Sequence, residues 1–300
     1  MSKELVSIAI LTYNDAKFLE GCLRSIREQV SCPFEVILLD NGSSEPVPEG
    51  ITEQYPWLRM FRSDKNLGFN AGYNLAARKA RGKYLLVLNI DTILLTDIAP
   101  AVRLLASGLQ IGVVGAKSYH PSGKPQPSAG HFPNARRLWL FRSQWWSNPR
   151  GIYGPTEVDA HRVDWVSGSF LMTTAENWAT SGGFDEHTFY YGSDVNFCRS
   201  TSARGFAVVQ CGEVKYIHFE GFRNRDIVSE VGNLYGGFRS YHRKFSGPVE
   251  RLAAESVLRV GLVVRILLYG SWYGITRNPR IGDKFRAYVN VQRNWVRITS

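Results

Sequence analysis

Asn89 and Asp91 stand two residues apart at the end of an unbroken apolar run, Tyr84-Leu-Leu-Val-Leu-Asn-Ile-Asp91. The length and composition of the run predict a buried parallel strand. Open α/β sheets bind ligands beyond the carboxyl ends of their strands, so this carboxylate stands where a site is expected. Asn89 and Asp91 could share a hard divalent cation, which takes oxygen ligands and usually holds substrate phosphates as well. The plainer alternative is that Asp91 caps a helix that follows.

Two more strand ends carry polar groups. Val6-Ser-Ile-Ala-Ile-Leu-Thr12 runs into Tyr13 and Asn14, and Phe34-Glu-Val-Ile-Leu-Leu-Asp40 runs into Asn41-Gly42-Ser43. Parallel strands would bring all three ends to one edge of a sheet, as a nucleotide pocket requires. Asp40 could accept a hydrogen bond from a base ring N–H, and Tyr13 could lie against the base. A loop with Gly68 and Gly72 could let the backbone approach a ligand closely. The chain has neither a GxGxxG nor a GxxxxGK[ST] motif, so dinucleotide redox chemistry and P-loop hydrolysis lose support.

The elements that must position these groups alternate strand and helix, the rhythm of βαβ units and a parallel sheet. Helical spacing covers Asp15 to Gln29, with Asn14 or Asp15 as cap, and a helix is expected from Gly72 to about Ala80. A short extended piece is expected at Leu58 to Arg62, a helix at 96–107 and a strand at Ile111 to Lys117. From His120 to Pro155 the chain is rich in Pro, Ser, Gly and Arg but holds Trp139, Trp145 and Trp146, which suggests an ordered excursion or lid. Beyond it come a strand at Val163–Met172, a Gly182-Gly183-Phe184-Asp185-Glu186 turn and a helix from about Val195 to Arg204. Gly205 closes that helix, and short strands follow at Ala207–Cys211 and Val214–His218. Trp165 and Tyr191 serve either as core aromatics or as platforms for an acceptor sugar. Arg223 lies in a basic loop after His218 and could reach donor phosphates.

The net charge of +10 is unevenly placed: residues 221–300 hold 14 Lys and Arg against 5 Asp and Glu, and the rest of the chain is almost neutral. Val257-Leu-Arg-Val-Gly-Leu-Val-Val-Arg-Ile-Leu-Leu-Tyr269, then Trp272 and Tyr273, mixes aliphatic, basic and aromatic residues as an interfacial helix does. Its longest uncharged piece is shorter than the ~20 residues needed to span a bilayer, so it is expected to lie on a membrane. The alternative is a helix packed on the main domain, with Arg251, Glu255 and Arg259 as a solvated ladder. An aliphatic tail does not suit a nucleic-acid groove. Cys22, Cys32, Cys198 and Cys211 show no metal-ligand spacing, and no signal-peptide segment precedes the first strand. A reducing cytoplasm with free thiols is therefore expected.

These segments, in this order, resemble the inverting family 2 glycosyltransferases of GT-A fold, in particular their bacterial rhamnosyltransferase-like branch. The resemblance rests on Leu11-Thr12-Tyr13-Asn14, Leu39-Asp40-Asn41-Gly42-Ser43, and Asn66-Leu67-Gly68-Phe69-Asn70-Ala71-Gly72-Tyr73-Asn74. It continues through Asn89-Ile90-Asp91, Gly182 to Glu186, Gly192-Ser193-Asp194-Val195-Asn196 and His218. It implies an α/β fold with a Rossmann-like, mixed but mainly parallel sheet flanked by helices. Residues 1–222 would form the catalytic domain, divided into a nucleotide-binding half (1–118), the excursion (119–160) and an acceptor half (161–222). Residues 223–300 would form a basic, amphipathic helical region that associates with the membrane.

The activity implied is inverting transfer of a sugar from a dTDP- or UDP-sugar, with rhamnose the first choice, to a hydroxyl of a lipid-linked glycan. Asp91 would bind Mg2+ or Mn2+ with Asn89 and His218 nearby, and Asp194 would be the general base. Thr12, Tyr13, Asn14, Asp40, Asn66, Gly68, Asn70, Asn89 and Arg223 would hold the donor, and Trp165 and Tyr191 the acceptor. The expected setting is the cytoplasmic face of the inner membrane, in O-antigen, capsule or cell-wall synthesis, with oligomerisation left open. Three departures from the branch stand out: Ser193 where an acid is expected, Asn196 in place of a second Asp, and Ile90 in place of proline. Fewer neighbouring carboxylates would lower the pKa of Asp194 relative to such relatives. The rival readings are a sugar nucleotidyltransferase and a non-catalytic sugar- or membrane-binding protein derived from such an enzyme.

Overall fold

Strand β1 (Val6–Thr12) is almost wholly buried along its length, which fits an element covered on both faces. Its neighbours are β2 (Phe34–Asp40) and β4 (Tyr84–Asn89), both parallel to it, and β3 (Leu58–Arg62) lies beyond β2. The structure is a computed structural model and describes residues 4–48, 50–139, 160–186, 192–219 and 227–295. Tyr191, Arg223 and residues 140–155 of the His120–Pro155 excursion, with Trp145 and Trp146, lie outside the described residues.

The remaining strands are β5 (Thr92–Leu94), β6 (Ile111–Tyr119), β7 (Pro125–Gln126), β8 (Ala129–Gly130), β9 (Ala160–Val163), β10 (Trp165–Val166), β11 (Phe170–Thr174) and β12 (Ala207–His218). The main sheet runs β3-β2-β1-β4-β11-β6-β12-β5, with β7 on β6 and β9 on β12; β8 and β10 form a separate pair. It is mixed: β11 enters antiparallel between β4 and β6. This places the start of β11 beside the end of β4.

Alternation of side chains assigns the two faces. Val6, Ile8 and Ile10, with Val36, Leu38, Leu86 and Leu88, form one core with Leu19, Cys22, Leu23 and Ile26 of α1 (Leu19–Gln29). Truncating one of these, such as Leu38→Ala, costs about 2–5 kcal/mol. On the other face, Leu11 packs so closely on α3 (Gly68–Arg78) that a Cβ at Gly72 would stand 2.7 Å from its methyl. The other helices are α2 (Ile51–Gln54), α4 (Ala99–Ala106), α5 (Ala135–Trp139), α6 (Ala175–Thr180), α7 (Ser193–Ala203), α8 (Ile227–Phe245), α9 (Pro248–Thr276) and α10 (Pro279–Arg293).

Several expectations change in detail. The segment after Asp91 is β5, so Asp91 caps no helix. A 3₁₀ turn (Ala16–Phe18) precedes α1, and Asp15 makes no capping hydrogen bond from its side chain. α3 starts at Gly68, so the glycine-containing loop is already its first turn. The strand expected at Val163–Met172 is broken into β9, β10 and β11, because Phe170 N–H turns back to the Ser167 carbonyl (3.2 Å). The two strands expected between Ala207 and His218 are one strand with an irregular register between Cys211 and Lys215.

Among the described residues, everything up to Phe132 joins with 160–186 and 193–219 in one compact unit. A second unit holds 133–139, Gly192 and 227–295. In the second, Leu138 of α5 and Tyr235 and Phe238 of α8 are buried with Ala254, Leu258 and Leu262 of α9 and Tyr288, Val291 and Trp295. Arg251, Glu255 and Arg259 do not form a purely solvated ladder: Glu255 faces the buried Arg239 at 3.7 Å, and Arg259 lies over the Trp295 ring. No helix among the described residues is long and apolar enough to cross a membrane.

Candidate active site

Register alone brings the expected groups together. Thr12 pairs with Asp40, and Leu11 with Asn89, so the carboxyl ends of β2, β1 and β4 stand side by side. Beyond β4 the chain turns at Asp91 into β5, which runs antiparallel to the end of β12 with Thr92 opposite His218. The Phe219 N–H closes the corner on the Asp91 carbonyl at 2.9 Å. Asp91, far from His218 in sequence, thereby comes within reach of it.

Asp91 is wholly buried, with Oδ1 3.4 Å from His218 Nε2. Asn89 Nδ2 lies 3.5 Å from the same nitrogen, and Asn89 Oδ1 faces the Tyr73 hydroxyl at 3.2 Å. Donation from the amide would occupy the Nε2 lone pair, so a metal bound through Nε2 would take the place of that contact. A carboxylate oxygen and an imidazole lone pair this close call for a proton or a cation between them. Metal–ligand bonds of about 2.1 Å at right angles put neighbouring ligands roughly 3 Å apart, close to the spacing seen. The described residues contain no group of three or more His, Cys, Asp or Glu placed to hold a metal. Two protein ligands are nonetheless what Mg2+ needs when substrate phosphates complete its shell.

The donor end is built from loops that hold one another. Asp40 is buried; its Oδ1 accepts from Ser43 N–H (2.9 Å) and its Oδ2 from Arg62 (3.1 Å). Arg62 also donates to the Ser43 carbonyl. Asn41 donates to Asn66 Oδ1 and the Gly68 carbonyl and accepts from Leu67 N–H, which fixes the entry to α3. Gly42 is required here: its φ is +78°, and a Cβ would stand 2.6 Å from the Lys65 carbonyl carbon. Asn14, at φ +56°, accepts from Ser44 N–H on its side chain and donates its own N–H to the Ser43 hydroxyl, stitching the first two strand ends together. Tyr13 is 45% exposed, and the buried Thr12 hydroxyl has no hydrogen-bond partner among the described residues. An orphaned hydroxyl beside an exposed aromatic ring is the polar and apolar pair that a bound base or ribose would use.

Asp194 sits in the first turn of α7. Its Oδ2 accepts from Gly168 N–H (2.9 Å) and its Oδ1 from Val195 N–H (2.8 Å). Burial raises its pKa above the ordinary aspartate value, and these N–H groups, with its own, oppose the rise. One residue along, Ser169 accepts from Asn89 N–H at 3.0 Å. Two backbone contacts, Asn89 to Ser169 and Gly168 to Asp194, thus join the Asp91 corner to the Asp194 carboxylate. The antiparallel entry of β11 beside β4 makes this possible.

Other residues singled out from sequence turn out to hold the frame. Asn70 donates to the Asp185 carbonyl (2.7 Å), and Asn74 pairs with both backbone groups of Phe184. Together they clamp the Gly182–Glu186 turn to α3. Trp165 is buried, its indole N–H on the His131 carbonyl and its ring against Gly130, which gives it packing contacts. Ser193 and Asn196 are buried, the Asn196 amide without a hydrogen-bond partner among the described residues. Arg62, Tyr73 and Gly168 were not anticipated. Parallel register would have placed Arg62 beside Asp40, but nothing local marked Tyr73 or Gly168.

Residues 7–157 match the family described as glycosyl transferase family 2, and the chain belongs to that family. The N-acetylglucosaminyl-diphospho-decaprenol L-rhamnosyltransferase of Mycobacterium tuberculosis is 25% identical over 235 residues, 72% of this chain and 76% of that protein. The rhamnosyltransferase WbbL of Escherichia coli K12 is 26% identical over 257 residues, 80% of this chain and 94% of its own length. The chain is therefore rhamnosyltransferase-like. A mannosyltransferase from Pyrobaculum calidifontis, solved with GDP-Man and Mn2+, superposes with a TM-score of 0.58 at 17% identity, covering 98% of this chain and 87% of that one. The mixed sheet and its flanking helices are those of the GT-A fold.

Proposed function

We propose that the protein transfers a sugar, rhamnose from dTDP-rhamnose in preference to a hexose from a UDP-sugar, to a hydroxyl of a lipid-linked glycan, with inversion. The observation that carries this is the pair of backbone contacts linking the Asp91–His218 corner to Asp194. Asp91 and His218 would hold Mg2+ or Mn2+, with Asn89 beside them. The cation would neutralise the diphosphate leaving group. Thr12, Tyr13 and the Asp40–Ser43 loop would seat the base and ribose, and Asn66 and Gly68 would line the same loop.

Asp194 then acts as the base. Its carboxylate takes the proton of the acceptor hydroxyl as that oxygen bonds to the anomeric carbon. The bond from that carbon to the diphosphate breaks on the opposite face, and its electron pair leaves with the nucleoside diphosphate. A single displacement of this kind inverts the anomeric centre. The Gly168 and Val195 N–H groups keep the carboxylate aimed and ionisable despite burial. Ser193 and Asn196 place no second acid beside it within its own motif, so no such neighbour shares its proton.

The relatives named for rhamnosyl transfer to a diphospho-decaprenol and for rhamnosyl transfer in general support this donor and acceptor class. O-antigen, capsule or cell-wall synthesis at the cytoplasmic face of the inner membrane is the setting that fits. The test is thermal stabilisation by a panel of nucleoside diphosphates and their sugars, with and without Mn2+. dTDP with Mn2+ should raise Tm most, and Asp91→Asn should remove the metal-dependent part alone. Stabilisation by no nucleotide would instead favour a non-catalytic binding protein.

A further inference from the structure

α9 carries two apolar faces. One is covered: Ala254, Leu258 and Leu262 are buried in the helical unit. The other is bare, with Val249, Leu252, Val260, Val263 and Leu267 between 45% and 83% exposed. With Ser256 these advance along the helix by 3, 4, 4, 3 and 4 residues and so lie on one line. Arg259 and Glu250 border a sector roughly 180° wide that holds no charged residue over the whole helix. Exposed Ile275 continues it toward the C-terminal end, with exposed Leu268 at its edge.

Such a face needs an occupant. The charge of the unit argues against a second copy. Its described residues carry 13 Lys and Arg against 4 Asp and Glu, so two such faces would bring strong like charge together. The same charge complements an anionic surface.

We propose that this face of α9 lies on an anionic lipid bilayer, the helix axis in the membrane plane. The uncharged sector enters the boundary between headgroups and acyl chains, and Arg259 meets headgroup phosphates at its edge. Exposed Arg277, Arg280 and Lys284 add to the attraction from beyond the helix. This deepens the reading above, in which the acceptor is lipid-linked, but it is tested without donor or acceptor. Failure of one therefore leaves the other standing.

The full chain is sedimented with vesicles of phosphatidylglycerol and, separately, of phosphatidylcholine. Partition should favour phosphatidylglycerol, weaken with salt, and fall roughly tenfold or more in the V263E/L267E double variant at unchanged Tm. Equal partition of that folded variant overturns the proposal. So does a parent that is dimeric in lipid-free buffer and becomes monomeric in the variant, since the face is then a contact between copies. A second measurement uses the unaltered chain: photoreactive phosphatidylglycerol should label peptides within 249–275, and labelling confined elsewhere overturns the proposal.

Discussion

At the scale of single residues, the sharpest consequence concerns Asp194. Its carboxyl is raised above the ordinary aspartate value chiefly by burial. A base must be ionised, so transfer is lost as pH falls through that raised pKa. The acid limb of kcat/KM is expected above the usual aspartate range. The folded protein also holds this proton more tightly than the unfolded chain. The associated stability is present at low pH and is lost as pH rises through the folded pKa. Asp194→Asn removes a buried charge but offers one acceptor to two N–H groups, so its Tm at pH 8 should stay within a few degrees of that of the parent. Its transfer rate should fall by about 10²–10⁴ while nucleotide affinity stays within a factor of a few. Full transfer by that variant would remove Asp194 from the base role. The strand-end residues were legible because their types are polar where burial is otherwise continuous. The aim of Asp194 was not, because it depends on the Gly168 N–H, a backbone group that side-chain type does not announce.

At the scale of elements, the first two strand ends and the start of α3 form one stitched unit, and Gly42 is its tightest point. Gly42→Ala combines a left-handed φ of +78° with a Cβ 2.6 Å from backbone, so the loop has to move. It should lower stability by about 1–3 kcal/mol in urea titration and weaken nucleotide binding as well. An unaltered affinity would mean that this loop does not carry the donor. Alternating strand and helix in the first hundred residues was readable because each buried strand is a continuous apolar run. The stretch after Val163 misled for the same reason: Trp165, Val166, Phe170, Leu171 and Met172 look continuous, yet Ser167-Gly168-Ser169 turns the chain between two sheets. β12 erred in the opposite direction. Gly212 and Glu213 looked like a break, but the strand absorbs them as an irregularity in its pairing.

At the scale of the whole molecule, the C-terminal segment is a packed helical unit rather than a detachable tail. Cutting the chain after residue 246 removes α9 and α10 and uncovers Tyr235 and Phe238 of α8, both buried in the intact unit. The truncated chain should bind a hydrophobic dye such as ANS strongly, measured by fluorescence; no increase would mean that α8 finds other cover. Loss of lipid binding on truncation would thus mix two effects, which is why surface substitutions on α9 are the better probe. The amphipathic character of that helix was visible in sequence. Its doubled apolar character was not, since which side is covered depends on α8 and α10.

The four thiols carry a practical consequence. Cys22, Cys198 and Cys211 are sealed in the interior, the first pushed up to about 12, whereas Cys32 is only half-buried. It sits between α1 and β2, at the amino rim of the strands, opposite the edge that gathers Thr12, Asp40 and Asn89. A maleimide fluorophore would therefore find one address on the native chain. From there it could report ligand arrival without standing in the ligand's way.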